Sequence, residues 1–488
     1  MATDDRDLEG SGIRAPQVFP SVTFSLSSPF QHSNRKSNAL WMRTPILTAL
    51  FFGLVAACDP TSGNEPVETD APETQTDLQE TETQETPWDP TQAEARSEST
   101  QNVSPEISDE DYATYLEGMN SFGLKLFQYF SKENTNTIVS GTSVAVALGM
   151  LYAGAEDNTK AQMKQAMEIA LPDDAYHAAA NRLLLDLESR NVDGDKPLHL
   201  RFANALFSQR DYSVEKPFLD TLGTHYDAGV KLMDFFDEPE ASRNTINEWV
   251  EKKTENQITE LLPEGSIADS TRLVMTNALY FNGNWSTPFS PEDTVDAPFY
   301  TLSGETVTVP MMHVKNTPII YTENDGYQAV NLPYGHDFEI SMCIVLPDEG
   351  RFEDIRGRLD EERLNDACPF ISMSNLREYS VAIPRFRFAF GTASLKDPLK
   401  ELGMTDAFGS TANLGGMNRE NKLYVEDVRH KAFIAVDEYG TEAAAATSVT
   451  LTLSVIGGPI VADRPFLFFI KDATGAVLFS GQVMDPTN

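Results

Sequence analysis

Much that common chemistries require is missing from this 488-residue chain. Lys and Arg number 37 against 74 Asp and Glu, a net charge of -37, so a basic surface for phosphate backbones is disfavoured and nucleic acid is not an expected partner. Cysteine is confined to Cys58, Cys343 and Cys368, too few for a disulfide framework. Cys343 lies in an apolar strand pattern and Cys368 in a short loop, and both read as structural thiols rather than nucleophiles. The seven histidines, His32, His177, His199, His225, His313, His336 and His430, lack the spacing of metal ligands, so neither a metal nor a cofactor is expected. Gly-x-Ser-x-Gly, a phosphate loop, His-Glu-x-x-His and Cys-x-x-Cys are all absent, and no segment repeats at a fixed period. Nothing supports an enzyme, and the chain is not expected to be one.

The first 57 residues read as processing sequence. From Met42, a possible true start, a short basic beginning is followed by an apolar run too short for a confident membrane span, and then by small residues before Cys58. This resembles a bacterial lipoprotein signal with the lipobox Val55-Ala56-Ala57-Cys58. The resemblance implies lipidation of Cys58, membrane attachment through it, and export to the cell envelope or beyond. Residues 58–107 are rich in Thr, Glu, Gln, Asp and Pro, with Arg96 as the single basic residue. Such a composition buries too little apolar surface to fold and predicts a disordered tether. Its roughly 47 central residues would span about 40 Å as a flexible coil.

Folding is expected over 108–488. Ser108-Asp-Glu-Asp has the form of a capping box, ahead of the helical stripe Leu116, Met119, Leu126, Phe127 and Phe130. Further helical patterns cover 143–153, 158–169, 176–190, 215–226 and 239–261. Strand patterns then dominate: Val274–Phe281, Ile340–Leu346, and an alternation through Tyr379, Val381, Ile383, Phe386, Phe388 and Phe390. A closing hairpin is expected from Phe466–Ile470 and Ala476–Val483. Helices early and strands late predict an α+β domain rather than alternating units.

Residues 438–456 carry a strand pattern where a loop would be expected. On a strand, Thr441, Ala443, Ala445, Thr447, Val449, Leu451 and Leu453 would share a largely apolar face, while Glu442, Ala444, Ala446 and Ser448 share a small or polar one. Val449–Ile456 has neither charge nor Pro, an aggregation hazard when exposed. The four alanines Ala443–Ala446 obstruct nothing and could slide between two strands.

Asn277-Ala-Leu-Tyr-Phe-Asn-Gly-Asn-Trp285 with Phe289, and Glu438-Tyr-Gly-Thr-Glu-Ala-Ala-Ala-Ala-Thr447, resemble the signature and hinge of the serpins. Leu332-Pro-Tyr-Gly335, Ile383-Pro-Arg-Phe386, His430-Lys-Ala-Phe433 and Pro465-Phe466 fit the same family, and the likeness covers about 108–488. The resemblance implies a single α+β domain with several helices on three β-sheets and an exposed reactive loop near the C-terminus. It also implies a monomeric suicide inhibitor, which captures a serine protease as an acyl-enzyme by inserting the cut loop into its main sheet. Strand insertion of this kind is a known mode of strand addition. The run from Thr441 to Ser454 would make a strand of about 46 Å.

In the resembling hinge (Glu438, Gly440, Thr441, Glu442, Ala443, Ala444, Ala445, Ala446 and Thr447) no Pro or bulky residue opposes insertion, which favours an inhibitor over a non-inhibitory, chaperone-like binding protein. Seventeen residues counted from Glu438 place the reactive bond at Ser454–Val455, or one residue earlier at Leu453–Ser454, and Glu438 to Pro465 is an ordinary loop spacing of 27. Lys and Arg are absent from 443–463, so an acidic primary pocket finds no cation and the expected target is elastase-, chymotrypsin- or subtilisin-like. Ser140, Ser143, Asn277 and His430 match the family's shutter, a polar cluster under the sheet, and Trp285 matches the breach where the loop enters. One departure stands out: Ser140-Gly141-Thr142-Ser143 has Gly where the family has Pro, which is expected to loosen the backbone there. Basic residues do not cluster enough to imply a heparin-like activator site.

Overall fold

The computed structural model describes residues 93–372, 374–420, 423–441 and 460–488. The expectations for the signal, for Cys58, for most of the tether, for hinge residues Glu442–Thr447 and for the bonds at Leu453, Ser454 and Val455 lie outside these residues.

Helix α1 (Asp109–Phe130) starts as its capping pattern predicts: Ser108 Oγ accepts the Asp111 N–H at 3.0 Å and donates to the Asp111 carboxylate at 2.8 Å. Helix α2 (Gly141–Tyr152) is buried at every position, as befits a segment with no polar face, and packs on strands of both sheets. Helices α3 (Asp157–Ala166), α4 (Asp173–Ser189), α5 (Lys216–Tyr226) and α6 (Pro239–Lys253) follow, with short α7 (Phe352–Gly357), α8 (Glu361–Ala367) and α9 (Lys396–Glu401) further on. Helix α6 stops eight residues before the expected 261, because Glu255 and Asn256 turn into the left-handed region at φ 51° and 65°.

Strands are numbered in chain order. The main sheet runs β1 (Glu94–Ala95), β5 (Val230–Met233), β4 (Ala205–Gln209), β6 (Leu273–Asn284), β14 (Gly440–Thr441), β13 (Val428–Val436) and β12 (Phe386–Ser394), with β3 (Leu198–Phe202) also on β6. A second assembly runs β15 (Ile460–Val461), β11 (Arg377–Pro384), β8 (Thr306–Asn324), β9 (Tyr327–Pro333), β10 (Ile340–Pro347), β16 (Phe466–Asp472), β17 (Val477–Val483) and β2 (Thr137–Val139), with β7 (Val295–Tyr300) on β8. The long β8 divides it in two. Its first part pairs with β7 and β11 and its last five residues pair with β9, giving three sheets in all. Within the part paired with β11, Lys315 and Asn316 stand against Ser380 alone, a bulge with Asn316 at φ 53°.

Three sequence expectations need correction. The alternation from Tyr379 to Phe390 is two strands, because β11 joins β8 and β12 joins β13 after a corner at Pro384-Arg385. The change from odd to even apolar positions marks that corner, since a one-residue shift moves side chains to the other face. Cys343 and Cys368 are not thiols but form a disulfide, which ties β10 to the turn after α8. The tether also ends before 107. Glu94 and Ala95 pair with Lys231 and Val230, Arg96 bonds the carbonyl of Asp227 at 2.9 Å and also its carboxylate, and the Asn102 N–H donates to Thr224 O at 2.9 Å. Residues 93–107 thus form a strap along the sheet edge and over α4 and α5. Main-chain hydrogen bonds hold it, and composition does not record those.

Candidate functional site

Strands β6 and β13 run parallel and pair directly where Met275–Leu279 meets Val428–Ala432. Beyond that they fork, and β14 lies in the fork antiparallel to both, with Thr441 opposite Val436 and Gly283 and with Gly440 opposite Asn284. The reversal from β13 into β14 is shaped by Asp437, whose carboxylate accepts the N–H groups of Tyr439 at 2.9 Å and Gly440 at 3.2 Å. Gly440 is dictated by closeness: a Cβ there would stand 2.1 Å from the Gly283 carbonyl oxygen and 2.7 Å from Asn284 Cα. Thr441 is buried, and its hydroxyl lies 2.7 Å from that of Tyr334.

Trp285 lies beneath this hinge. Its ring stacks on Tyr334 with centroids 4.4 Å apart and planes 14° from parallel. The indole N–H donates to Asp437 O at 3.0 Å and the main-chain N–H to Tyr439 O at 2.8 Å. Glu438 is fixed on its other side by Arg385 and by the Thr294 hydroxyl at 2.7 Å. Burial pushes its carboxyl up, but those two hydrogen bonds outweigh burial and hold it below the usual carboxylate range.

Ser140, Ser143, Asn277 and His430 come together under the closed part of the sheet, all fully buried. Ser140 caps α2, its Oγ accepting the Ser143 N–H at 3.2 Å, while its own N–H donates to His430 Nε2 at 3.2 Å. With Nε2 accepting, Nδ1 must carry the proton, and it donates to Asn277 Oδ1 at 2.6 Å. Asn277 and His430 are direct partners in the β6–β13 ladder, so this bond crosses the seam itself. Burial pulls the imidazole down to about 4, which keeps it neutral.

Asn204 completes the cluster and is not evident from the motifs. It sits in the break between β3 and β4, where it receives hydrogen bonds from Asn277 Nδ2 at 2.8 Å and Ser143 Oγ at 3.1 Å and donates to Ser143 O at 3.2 Å. The only sequence signal was a polar residue interrupting a strand pattern. Gly141 also has a reason not visible in the motif: a Cβ there would lie 2.2 Å from Gly123 Cα, so the crossing of α1 and α2 admits no side chain. The expected loosening is thus a tight helix contact.

The far end of the loop is fastened elsewhere. After residues 442–459 the chain enters β15, which pairs in parallel with β11 through Ile460–Val381 and Val461–Ala382. The loop therefore starts inside one sheet and ends on the edge of another. Among the described residues no group of His, Cys, Asp or Glu gathers as a metal would need. What the geometry offers is a slot between two strands with the first residues of a third already in it.

Residues 117–486 match the family model described as "Serpin (serine protease inhibitor)". An uncharacterized serpin-like protein of Thermococcus kodakarensis is 39% identical over 379 residues, covering 76% of this chain and 85% of the relative. The leukocyte elastase inhibitor of Sus scrofa is 36% identical over 380 residues, covering 75% and 97%. Among solved structures, uncleaved ovalbumin is similar with a TM-score of 0.68 at 25% identity, covering 76% of this chain and 100% of that one. Thyroxine-binding globulin in complex with thyroxine gives 0.66 at 25% identity, covering 76% and 99%. A forked main sheet, a hinge seated in it and a loop carried to a second sheet thus agree with sequence and fold alike, and the chain belongs to the serpin family, a family of serine protease inhibitors.

Proposed function

We propose that this chain traps a serine protease as a suicide substrate. The protease serine attacks the carbonyl of Ser454 (or Leu453), expels the amine of the following residue, and is left as an ester on the loop. Residues from Glu442 onward then extend β14 down the fork before water can cleave the ester. The observation that carries this reading is β14 itself, which already has the antiparallel pairing to β6 and β13 that the complete inserted strand would need. Insertion must open the five ladder pairs below it and break the His430–Asn277 bond.

The target we propose is elastase-, chymotrypsin- or subtilisin-like. The absence of Lys and Arg from 443–463 supports this, as does the 36% identity to a protein named leukocyte elastase inhibitor. We further place the protein outside the cytoplasm, tethered through Cys58 as a monomer. The Cys343–Cys368 disulfide supports export, since such bonds persist chiefly in oxidising compartments.

The test is to mix the full chain with elastase-, chymotrypsin-, subtilisin- and trypsin-like proteases. A complex that survives SDS with one of the first three is expected, with a C-terminal peptide beginning at Val455 or Ser454 in the mass spectrum. Cleavage by all four without any complex would overturn the inhibitory reading in favour of a non-inhibitory binding protein.

A further inference from the structure

The strap carries a residue type that the reactive loop lacks. Arg96 is the single Lys or Arg between Arg43 and Lys125, and the strap lies outside residues 117–486, which match the family model. Arg96 directly follows β1, the edge strand of the main sheet, which pairs with β5 alone among the described residues. Burial alternates along this stretch as on a strand: Ala95, Ser97 and Ser99 are half-buried, while Arg96, Glu98 and Thr100 are exposed.

This stretch has a shaped seat. A Cβ on Gly229 would stand 2.7 Å from Ala95 O, and one on Gly223 would stand 2.8 Å from Ser99 O, so both glycines make room for the chain passing over them. The Ser97 hydroxyl donates to the Asp220 carboxylate of α5, and Arg96 reaches both the carbonyl and the carboxylate of Asp227. While these contacts hold, the guanidinium is committed and the bond after it lies against the protein. They are few and solvated: β1 is two residues long, and the Arg96 and Asp227 side chains are 40% and 64% exposed. A segment held in this way lifts locally at far less cost than unfolding the domain.

We propose that the Arg96–Ser97 bond is a processing site for a serine protease with an acidic primary pocket, and that docking of the strap gates the cut. Such a pocket pairs with Lys or Arg. Residues 443–463 offer neither, so the reactive loop and the strap address different enzymes. Once the strap lifts, the protease serine attacks the Arg96 carbonyl and holds it as an ester while the Ser97 amine leaves with a proton. Water then hydrolyses that ester, giving the Arg96 carboxylate and free enzyme. The product is the domain from Ser97 onward, parted from the tether and from Cys58. Release from a membrane by this cut rests on the anchor proposed at Cys58.

The test incubates the full chain with a small amount of a trypsin-like protease and follows the products by mass spectrometry. An early product beginning at Ser97 is expected, kept in Arg96→Lys and absent in Arg96→Gln, although the latter loosens the strap. Asp227→Asn removes the carboxylate that holds the guanidinium. Cleavage of a fast-opening segment follows its open population, so the Ser97 product should then form several fold faster. No Ser97 product, or the same product from Arg96→Gln, overturns the site. Equal rates in the parent and Asp227→Asn overturn the gate. Washed membranes from cells making the full chain, treated alike, should release the domain, and those with Arg96→Gln should retain it, because no other Lys or Arg lies between Cys58 and Lys125. Release of both alike overturns the role in detachment. A parent chain that never enters the membrane fraction overturns the anchor reading, while the purified chain still decides the site.

Discussion

The two halves of the seam between β6 and β13 are built on opposite principles. In the upper half, at the fork, contact is by shape: Gly440 fits only because it has no side chain, and Trp285 and Tyr334 stack beneath it. In the lower half contact is by polar pairing, with Ser140, Ser143, Asn204, Asn277 and His430 each satisfying another. Apolar packing would close a seam as well, but it would keep closing it in any register. A buried network with matched donors and acceptors is favourable in one arrangement and costly in partial ones. The upper half is thus a place to begin a strand, and the lower half a catch that yields completely or not at all.

The sharpest way to break the contrast is Thr441→Arg. It places an unpaired guanidinium where Thr441 is 2% exposed, a penalty of roughly 3–5 kcal/mol. The covalent complex should fall more than about tenfold on a gel while cleavage of the loop persists. An undiminished complex would show that the fork does not control insertion.

Acid tests the catch. The His430 pKa is depressed in the fold, so its contribution to stability is complete above the ordinary histidine value of about 6.5 and is lost as pH falls from there towards about 4. A shift of that size is worth on the order of 3 kcal/mol. His177, pulled down to about 3 first by its burial and then by neighbouring His225, adds a slope of its own. Urea midpoints measured across that window should therefore fall less steeply in His430→Gln than in the parent. Equal slopes would show that burial does not keep the imidazole neutral.

Gly141→Pro introduces the residue of the resembling serpin motif at a position where Pro normally favours a helix start. Here it should destabilise by about 2 kcal/mol, because its Cβ meets Gly123. A melting temperature that stays level or rises would mean that α1 and α2 separate freely. The smallest effect is expected from Glu438→Gln, about 1 kcal/mol in chemical denaturation, since its partner Arg385 is 48% exposed and well solvated. A loss as large as that of Thr441→Arg would shift the weight of the fork from shape to charge.

Local patterns were legible in the sequence and distant pairings were not. The Ser108 cap could be placed because spacing along the chain fixes which side chains meet within one helical turn, whereas the hinge and the four shutter residues were named only through their resemblance to serpin motifs. Asn204 could not, since its part depends on a strand break that brings it beside residues 61 and 73 positions away. The disulfide escaped notice because pairing Cys343 with Cys368 requires α8 to fold back beside β10. The strap was read as tether because an edge strand of two residues leaves no trace in composition.

The closing hairpin has its own consequence. Strand β16 lies between β10 and β17, β17 between β16 and β2, and Phe466, Leu467, Phe468 and Phe469 are all without solvent exposure. A cut in the loop thus leaves the C-terminal piece held through β16 and β17 in the middle of a sheet. The nicked protein should migrate as one particle in a native gel and come apart only in denaturant, so that a broken backbone costs it connectivity but no component.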